Sequence, residues 1–206
     1  HLKLLIHYEK FFFEKTLVQT AGYDEDFFYS SNKKIPKQVI YSGSLERLGA
    51  SRNLDFILNS FTDKRLSNFT LKVFGGTKQQ IDQLNKKYKH IKNISLHKHI
   101  SKKSLAQELA NSEIGILASN NDDFSKFHTN PLKYYEYSAS GLKIVATDFP
   151  AHKSLNQNKN ILYFIDQDSE SFINAIITSN KNVEEIRIED IETMDSRVKN
   201  IINFIV

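Results

Sequence analysis

Residues 131–148, PLKYYEYSASGLKIVATD, combine a helix, its termination signal and an apolar strand in one continuous stretch. Asn130 is a favoured N-cap residue and Pro131 suits the first helical position, so the helix is predicted to begin at Pro131. Gly141 is typical of a helix C-terminus, and the apolar run at 143–147 is typical of a strand. A helix that leads directly into a short buried strand is a unit of an α/β fold.

The same alternation continues on both sides of this stretch. Strands are predicted at residues 38–42, 71–74, 94–96, 114–118, 143–147 and 162–165. Between them, apolar residues recur at helical spacing, as at Leu54, Ile57, Leu58 and Phe61 and again at Phe172, Ile173, Ile176 and Ile177. Asn53 and Asp168 are predicted N-caps. The pattern predicts a Rossmann-like, six-stranded parallel sheet with helices on both faces, each apolar stripe facing the sheet.

The two ends of the chain do not follow this alternation. We predict a preceding-domain tail and interdomain linker at 1–36, the α/β domain at 37–180 and a C-terminal helical tail at 181–206. Within the first segment, residues 2–14 favour a helix and residues 16–19 a strand. The final helix, near 195–205, carries Val198, Ile201, Ile202 and Ile205 on one face, so it is expected to dock on another surface.

The composition limits the classes of function. The 206 residues include 40% hydrophobic and 25% charged residues and no cysteine, which favours a single soluble domain in a reducing, cytoplasmic compartment. No run approaches the roughly 18 apolar residues of a membrane span. The net charge of +4 is spread along the chain, so nucleic acid is not an expected partner. Phosphorylated small molecules and an acidic membrane surface, at the inner face of the membrane, are the expected anionic partners.

The helix that starts at Pro131 is a candidate anion site. Ligands of open parallel sheets bind beyond the carboxyl ends of the strands, and free N–H groups at a helix start attract anions. Lys133 adds a positive charge in the first turn, and Glu136, one turn later, is suited to accept hydrogen bonds from ribose hydroxyls. Leu132, with Tyr135 and Ala139, is predicted to lie on the buried face of the helix. The alternative is that Lys133 and Glu136 form only a surface ion pair.

The loop after the first strand is a second candidate. Gly43 and Gly49 permit close approach of the backbone, and Arg47 and Arg52 supply donors suited to phosphate. Gly75 lies in a predicted tight turn after the second strand. The chain contains neither GxxxxGK[ST] nor GxGxxG, which counts against nucleoside triphosphate hydrolysis and against a dinucleotide cofactor.

Two further groups of residues have alternative interpretations. His97 and His99 alternate on a strand end as metal ligands would, but no third ligand lies near them in sequence. Asp122 and Asp123 form an acidic pair of the kind that holds metals in some sugar transferases, although a solvated loop is the favoured interpretation. No metal site is predicted.

Several segments together resemble a known family. GSL, Arg52 with LDFIL, KVFGG, ISLHKHI, SEIGILAS and NPLKYYEYSASGLKIVATDFP follow the order and spacing of the C-terminal domain of family 4 retaining glycosyltransferases. LVQTAGYDEDFF resembles the interdomain segment of that family, and MDSRVKNII resembles its closing helix. The resemblance implies half of a two-domain GT-B enzyme, in which this half binds a nucleotide-diphosphate sugar, UDP- or GDP-linked, without a cofactor or metal.

The resemblance also implies roles for individual residues. Glu136 would bind the ribose, the helix start at Pro131 and Arg52 the diphosphate, and Ile100 the base through its backbone. The chain departs from the family at Ser44, where an arginine is usual, and at His128, where the first acidic residue of the motif contacts the donor sugar. The predicted donor-binding set is Gly43, Ser44, Arg47, Arg52, Gly75, Ile100, His128, Asn130, Pro131, Leu132, Lys133 and Glu136.

The leading hypothesis is therefore a hexosyltransferase that acts with retention in polysaccharide or glycolipid biosynthesis. Its acceptor, a glycan or lipid-linked sugar, would be contacted by an N-terminal domain outside this chain, so this chain alone is expected to be inactive. A sugar-nucleotide epimerase of the same GT-B fold is one alternative. A non-catalytic α/β interaction domain is another, although a receiver-like module would need acidic residues where the first and third strands end in Ser42-Gly43 and His97-Lys98.

Overall fold

A computed structural model describes residues 17, 19–47, 50–51, 54–155, 160–180 and 191–205. The strands are β1 (Gln38–Ser42), β2 (Glu46–Arg47), β3 (Ala50–Ser51), β4 (Thr70–Gly76), β5 (Ile94–Lys98), β6 (Ile114–Leu117), β7 (Lys143–Thr147) and β8 (Ile161–Phe164). The helices are α1 (Leu54–Ser60), a 3₁₀ turn (Lys64–Leu66), α2 (Lys78–Tyr88), α3 (Lys102–Asn111), α4 (Asp123–Phe127), α5 (Leu132–Ala139), α6 (Pro150–Lys153), α7 (Ser169–Ser179) and α8 (Met194–Ile205).

Six strands form one parallel sheet in the order β5-β4-β1-β6-β7-β8. The chain runs outward from β1 through β4 to β5 and then returns to the other side of β1 as β6. The direction of winding therefore reverses between β1 and β6. In open α/β sheets such a reversal leaves a crevice at the carboxyl edge, which is where ligands bind.

Helices cover both faces of the sheet, because successive strand residues point to opposite sides. Val39 and Tyr41 belong to a core with α1, α2 and α7, whereas Ile40, between them, belongs to a second core with α3 and α5. The predicted α/β class, its six strands and its two covered faces are confirmed. The predicted apolar stripes of α1 and α7 face the first core.

The loop after β1 differs from the sequence interpretation. It contains a short antiparallel hairpin, in which Glu46 pairs with Ser51 and Arg47 with Ala50. Gly75 also lies within β4 and not in a turn after it, because β4 stays paired with β5 through Gly76. Helix α2 then starts from Thr77, whose side chain forms a reciprocal capping box with Gln80.

The segments that flank the sheet lie beside each other. Tyr23 forms a parallel bridge with Thr193, and Gln19 donates to Glu192 over 3.0 Å. The helix predicted at residues 2–14 and the N-cap predicted at Asn53 lie outside the described residues, while Asp168 is confirmed as the cap of α7. Of the strand predicted at residues 16–19, only Leu17 and Gln19 are described, and neither of them belongs to a strand. No helix in the described ranges is long and apolar enough to cross a membrane.

Candidate functional site

The backbone at the carboxyl ends of β1 and β4 is packed too closely for side chains. Gly43 and Gly75 have φ values of +134° and +131°, a region that favours glycine. A Cβ atom on Gly75 would lie 2.0 Å from the carbonyl oxygen of Gly43, and the Gly43 N–H donates to the Phe74 carbonyl over 2.9 Å. The close backbone approach predicted at Gly43 is therefore present.

Lys133, in the first turn of α5, reaches across the end of β1. A Cβ atom on Gly43 would lie 2.2 Å from its Nζ, so the absent side chain leaves room for the ammonium group. The same Nζ lies 4.6 Å from the ring centroid of Tyr41, a distance typical of a cation–π contact. The loop after β1 and the start of α5 thus meet at one point, where a positive charge lies against the half-buried main chain of Gly43.

Glu136 lies one helical turn beyond Lys133 in a half-buried position. Burial raises the pKa of its carboxyl group, while the charges of Lys133 and Lys102 lower it. Lys102 is the first residue of α3, so two helices, α3 and α5, contribute charge to this part of the crevice. A carboxylate in such surroundings makes strong hydrogen bonds to hydroxyl groups that replace its lost hydration.

Tyr137 anchors α5 to β1. It is fully buried, and its hydroxyl oxygen accepts from the Ser42 N–H over 3.0 Å and lies 3.1 Å from Ser42 Oγ. Its ring packs on Gly115 of β6, where an added Cβ would lie 2.5 Å from the ring. Lys133 and Glu136 are therefore carried by a helix that is fixed to the two strands at the reversal of winding.

The start of α5 is one residue later than predicted. Pro131, with φ −73° and ψ 117°, is the N-cap residue, so the prediction that it occupies the first helical position is wrong. Asn130 does not cap the helix, because its Oδ1 instead accepts from the Tyr135 hydroxyl over 3.0 Å. Leu132 is 47% exposed, so its prediction as a buried residue is also wrong. The buried side consists of Tyr134, Tyr135, Tyr137, Ser138 and Ala139.

The other end of α5 closes as the sequence predicts. Gly141 has φ +68°, and its N–H donates to the Ser138 carbonyl over 2.9 Å. The Leu142 N–H donates to the Tyr137 carbonyl over 3.0 Å. These two bonds are those of a Schellman motif, in which glycine supplies the left-handed residue that follows the helix.

His128 follows the short helix α4 on the loop that leads to α5. Its ring is exposed, and its centroid lies 6.4 Å from that of Phe124 and 6.4 Å from that of Phe127. Asp122, one of the acidic pair considered as metal ligands, caps α4 by accepting from the Ser125 N–H over 2.8 Å. The capping contact accounts for the position of Asp122 without a bound ion.

The remaining predicted residues lie around the same edge. Ser44 is exposed beside Gly43, and its hydroxyl donates to the Glu46 carbonyl. Ile100 is half-buried in the β5–α3 loop, where it packs on the second core. The backbone of Arg47 forms part of β2, and Arg52 lies outside the described residues.

His97 lies among side chains of the protein. Its ring stacks on that of Phe74, with centroids 4.7 Å apart and planes at 16°. Burial, followed by the charge of Lys72, lowers its pKa, which favours the neutral imidazole. Its position in the sheet is that of a packed aromatic residue.

Sequence reasoning missed three residues that build this crevice. Tyr41 and Tyr137 were not singled out, because their contacts join residues far apart in sequence, 95 positions in the case of Ser42 and Tyr137. Lys102 was not singled out either. It ion-pairs with Asp24 of the linker while it influences Glu136. The one local signal for Tyr137 is its place within the 131–148 segment.

Three solved structures resemble this chain in fold and are distant from it in sequence. Sucrose-phosphate synthase from Thermosynechococcus elongatus has a TM-score of 0.63 at 14% identity, over 90% of this chain and 50% of its own. The pneumococcal O-GlcNAc transferase GtfA, solved with UDP and GlcNAc, has a TM-score of 0.63 at 16% identity, over 90% and 38%. HepE from Anabaena, solved with UDP and glucose, has a TM-score of 0.61 at 13% identity, over 81% and 48%.

These structures match this chain over half of their length or less, so the likeness concerns one half of a larger fold. None of the curated protein sequences matches the chain. The model of the family described as glycosyl transferases group 1 matches residues 36–182, which include β1 to β8. The chain belongs to the glycosyl transferases group 1 family and has the Rossmann-like fold of the C-terminal half of a GT-B protein.

Proposed function

We propose that the chain is the donor-binding domain of a retaining glycosyltransferase that transfers a sugar from a UDP- or GDP-linked donor to a hydroxyl acceptor. The acceptor would be a glycan or lipid-linked sugar bound by a further domain, in polysaccharide or glycolipid biosynthesis. Such a protein would act in the cytoplasm or at the inner face of the membrane. Membership of the glycosyl transferases group 1 family supports this proposal at the level of reaction class.

The meeting of Lys133 with Gly43 is the observation that carries the proposal. A phosphate group at this point would contact an ammonium group, the N–H groups at the start of α5 and main chain that has no side chain in the way. Two of the similar structures were solved with UDP and a sugar, which supports a nucleotide diphosphate as the ligand class.

The chemistry follows from these contacts. Breaking the bond between the sugar and the diphosphate leaves negative charge on the diphosphate, and Lys133 with the α5 N–H groups would stabilise that charge in the transition state. Glu136 would hold the ribose, and Arg47 and Arg52 would add donors for the phosphates. Exposed His128 would stand beside the sugar in place of an acidic residue.

Calorimetric titration with UDP, GDP and their sugars tests the proposal directly. We expect one of the two nucleotides to bind, and Lys133→Ala to weaken it by about tenfold or more, because a charge-assisted contact to phosphate contributes about 1.5–3 kcal/mol. The same variant should leave the affinity for the nucleoside, which has no phosphate, nearly unchanged. Lys103→Ala, at an exposed lysine of α3, is the matched control. Absence of binding by any of these ligands at millimolar concentration contradicts the proposal.

A second titration addresses Glu136. Wild-type protein should bind the nucleoside diphosphate more tightly than its 2′,3′-dideoxy analogue, whereas Glu136→Ala should bind the two alike, because the carboxylate would contact the ribose hydroxyls. If the variant keeps the full preference for ribose, Glu136 does not have this role. The melting temperature of the variant reports separately on any structural contribution.

A further inference from the structure

The linker contacts α5 at the end opposite to Lys133. Gly141, which terminates α5, has so little space that an added Cβ would lie 2.4 Å from the Oγ of Ser30. Lys34 Nζ donates a hydrogen bond to the carbonyl oxygen of Ser140, the C-cap residue of the helix. The ammonium group therefore lies at the negative end of the helix dipole, where a cation is favourable.

Neighbouring linker residues are fixed to other elements. The Ile35 N–H donates to the Asn111 carbonyl at the end of α3 over 2.8 Å, and the Lys37 N–H donates to Glu113 Oε2 over 2.7 Å. Lys34 is thus attached to the base of the sheet on one side and to α5 on the other. Its contact with Ser140 joins residues 106 positions apart.

Stability alone does not account for a lysine at this position. Burial lowers the pKa of Lys34 to about 8, and the charge of Glu113 offsets only part of that effect. A shift in this direction means that the folded protein disfavours the charged form relative to the unfolded chain. Burial of the charged ammonium group therefore costs folding free energy. The interaction that the charge strengthens is the hydrogen bond from Lys34 to α5.

Helix α5 has eight residues and spans about 12 Å. Ser140 lies four residues from Glu136 and seven from Lys133, so a displacement of this end of α5 would also displace the first turn. We propose that Lys34 is a positioning residue, which sets the placement of α5 and through it that of Lys133 and Glu136 in the donor crevice. This inference rests on the proposed function, which supplies the nature of the ligand. The link between Lys34 and the donor crevice rests on the contacts of the linker with α5.

The test compares Lys34→Met, which keeps the aliphatic chain and removes the charge, with Lys34→Arg, which keeps the charge. Lys33→Met, at the exposed neighbouring lysine, makes the same change in net charge and serves as the control. In titrations with UDP and GDP near pH 7, we expect Lys34→Met to weaken nucleotide binding by roughly three- to tenfold, the range of a charge at a helix terminus. Lys34→Arg and Lys33→Met should bind like the wild type.

If Lys34 were purely structural, its replacement would lower the melting temperature but would not change the affinity for nucleotide at temperatures where the protein is folded. We expect the reverse, with the melting temperature of Lys34→Met equal to or above that of the wild type. If the wild type binds nucleotide and Lys34→Met binds it equally well, the positioning role is wrong while the proposed function stands.

Hydrogen exchange tests the positioning role of Lys34 without any bound ligand. Lys34→Met should speed exchange of the amides of Tyr135 and Glu136, which lie in the middle of α5, and Lys33→Met should not. Unchanged exchange at these amides overturns the coupling. If the wild type binds neither nucleotide, the proposed function fails, and the exchange result alone decides whether Lys34 fixes α5.

Discussion

Helix α5 is packed against the sheet over five of its eight residues, whereas α8 buries none of its twelve. Both carry apolar residues at helical spacing. In α8, Met194, Val198, Ile202 and Ile205 form an exposed stripe on one side. The sequence predicted that Val198, Ile201, Ile202 and Ile205 dock on another surface. Within the described residues Ile201 is half-buried and the other three remain exposed. Amphipathic spacing therefore identifies a helix, but the partner surface decides how much stability the helix contributes.

The largest effect is expected where α5 meets the sheet. Tyr137→Ala should lower the free energy of unfolding by about 3–5 kcal/mol, because it empties a fully buried aromatic site and removes the acceptor of the Ser42 N–H. Urea denaturation measures the change. Tyr29→Ala, at a tyrosine that is 52% exposed, is the control and should change stability by less than about 0.5 kcal/mol. Equal effects at both positions would remove the contrast between packed and exposed aromatic residues.

A smaller loss of stability is expected when the contact between Tyr137 and Gly115 is overfilled instead of emptied. Gly115→Ala places a methyl group where the Tyr137 ring now lies, and overpacking of this kind costs about 1–3 kcal/mol. In a Tyr137→Ala background the added methyl group has room, so its cost should largely disappear. A cost that stays the same in both backgrounds would mean that the ring is not the obstacle.

The contribution of Lys34, at the linker end of α5, to the free energy of unfolding should depend on pH. Lys34 titrates near pH 8 in the folded protein and near 10.5 when unfolded, so the unfolded chain holds more protons between these values. The free energy of unfolding therefore rises with pH through this window. The free energy of unfolding of the wild type minus that of Lys34→Met should be level and no greater than zero below pH 7, and it should rise from about pH 8 to 10.5 as the penalty for burying the charge is lost. A level difference across the whole range would mean that the pKa of Lys34 is not lowered.

The smallest effect belongs to α8. Ile202 is 53% exposed, so Ile202→Ala should change the free energy of unfolding of this chain by less than about 0.5 kcal/mol. Ile176→Ala, at a fully buried isoleucine of α7, should cost about 2–5 kcal/mol in the same measurement. A loss above about 1 kcal/mol at Ile202 would show that the α8 stripe is covered in solution.

Much of the fold could be predicted from local patterns. The bounds of β1 and β7 coincide with those predicted, and Gly141 ends α5 with the backbone bonds that a helix-terminating glycine makes. The errors concern the start of α5. Asn130 has the chemistry of a helix cap, but the hydroxyl of Tyr135 occupies its side-chain oxygen. Leu132 fits the apolar spacing, yet its side chain is 47% exposed.

The sequence by itself determined the α/β class, the approximate positions of the six strands of the sheet and the family resemblance, because periodicity, caps and ordered motifs act over a few residues. Only the tertiary structure decided which loops share the crevice. Strand order placed β6 beside β1, which brought Lys133 onto Gly43 and Tyr137 onto Ser42, and it brought Lys34 to the far end of the same helix. These contacts span about 90 to 106 positions along the chain, and no local pattern specifies a partner at that distance.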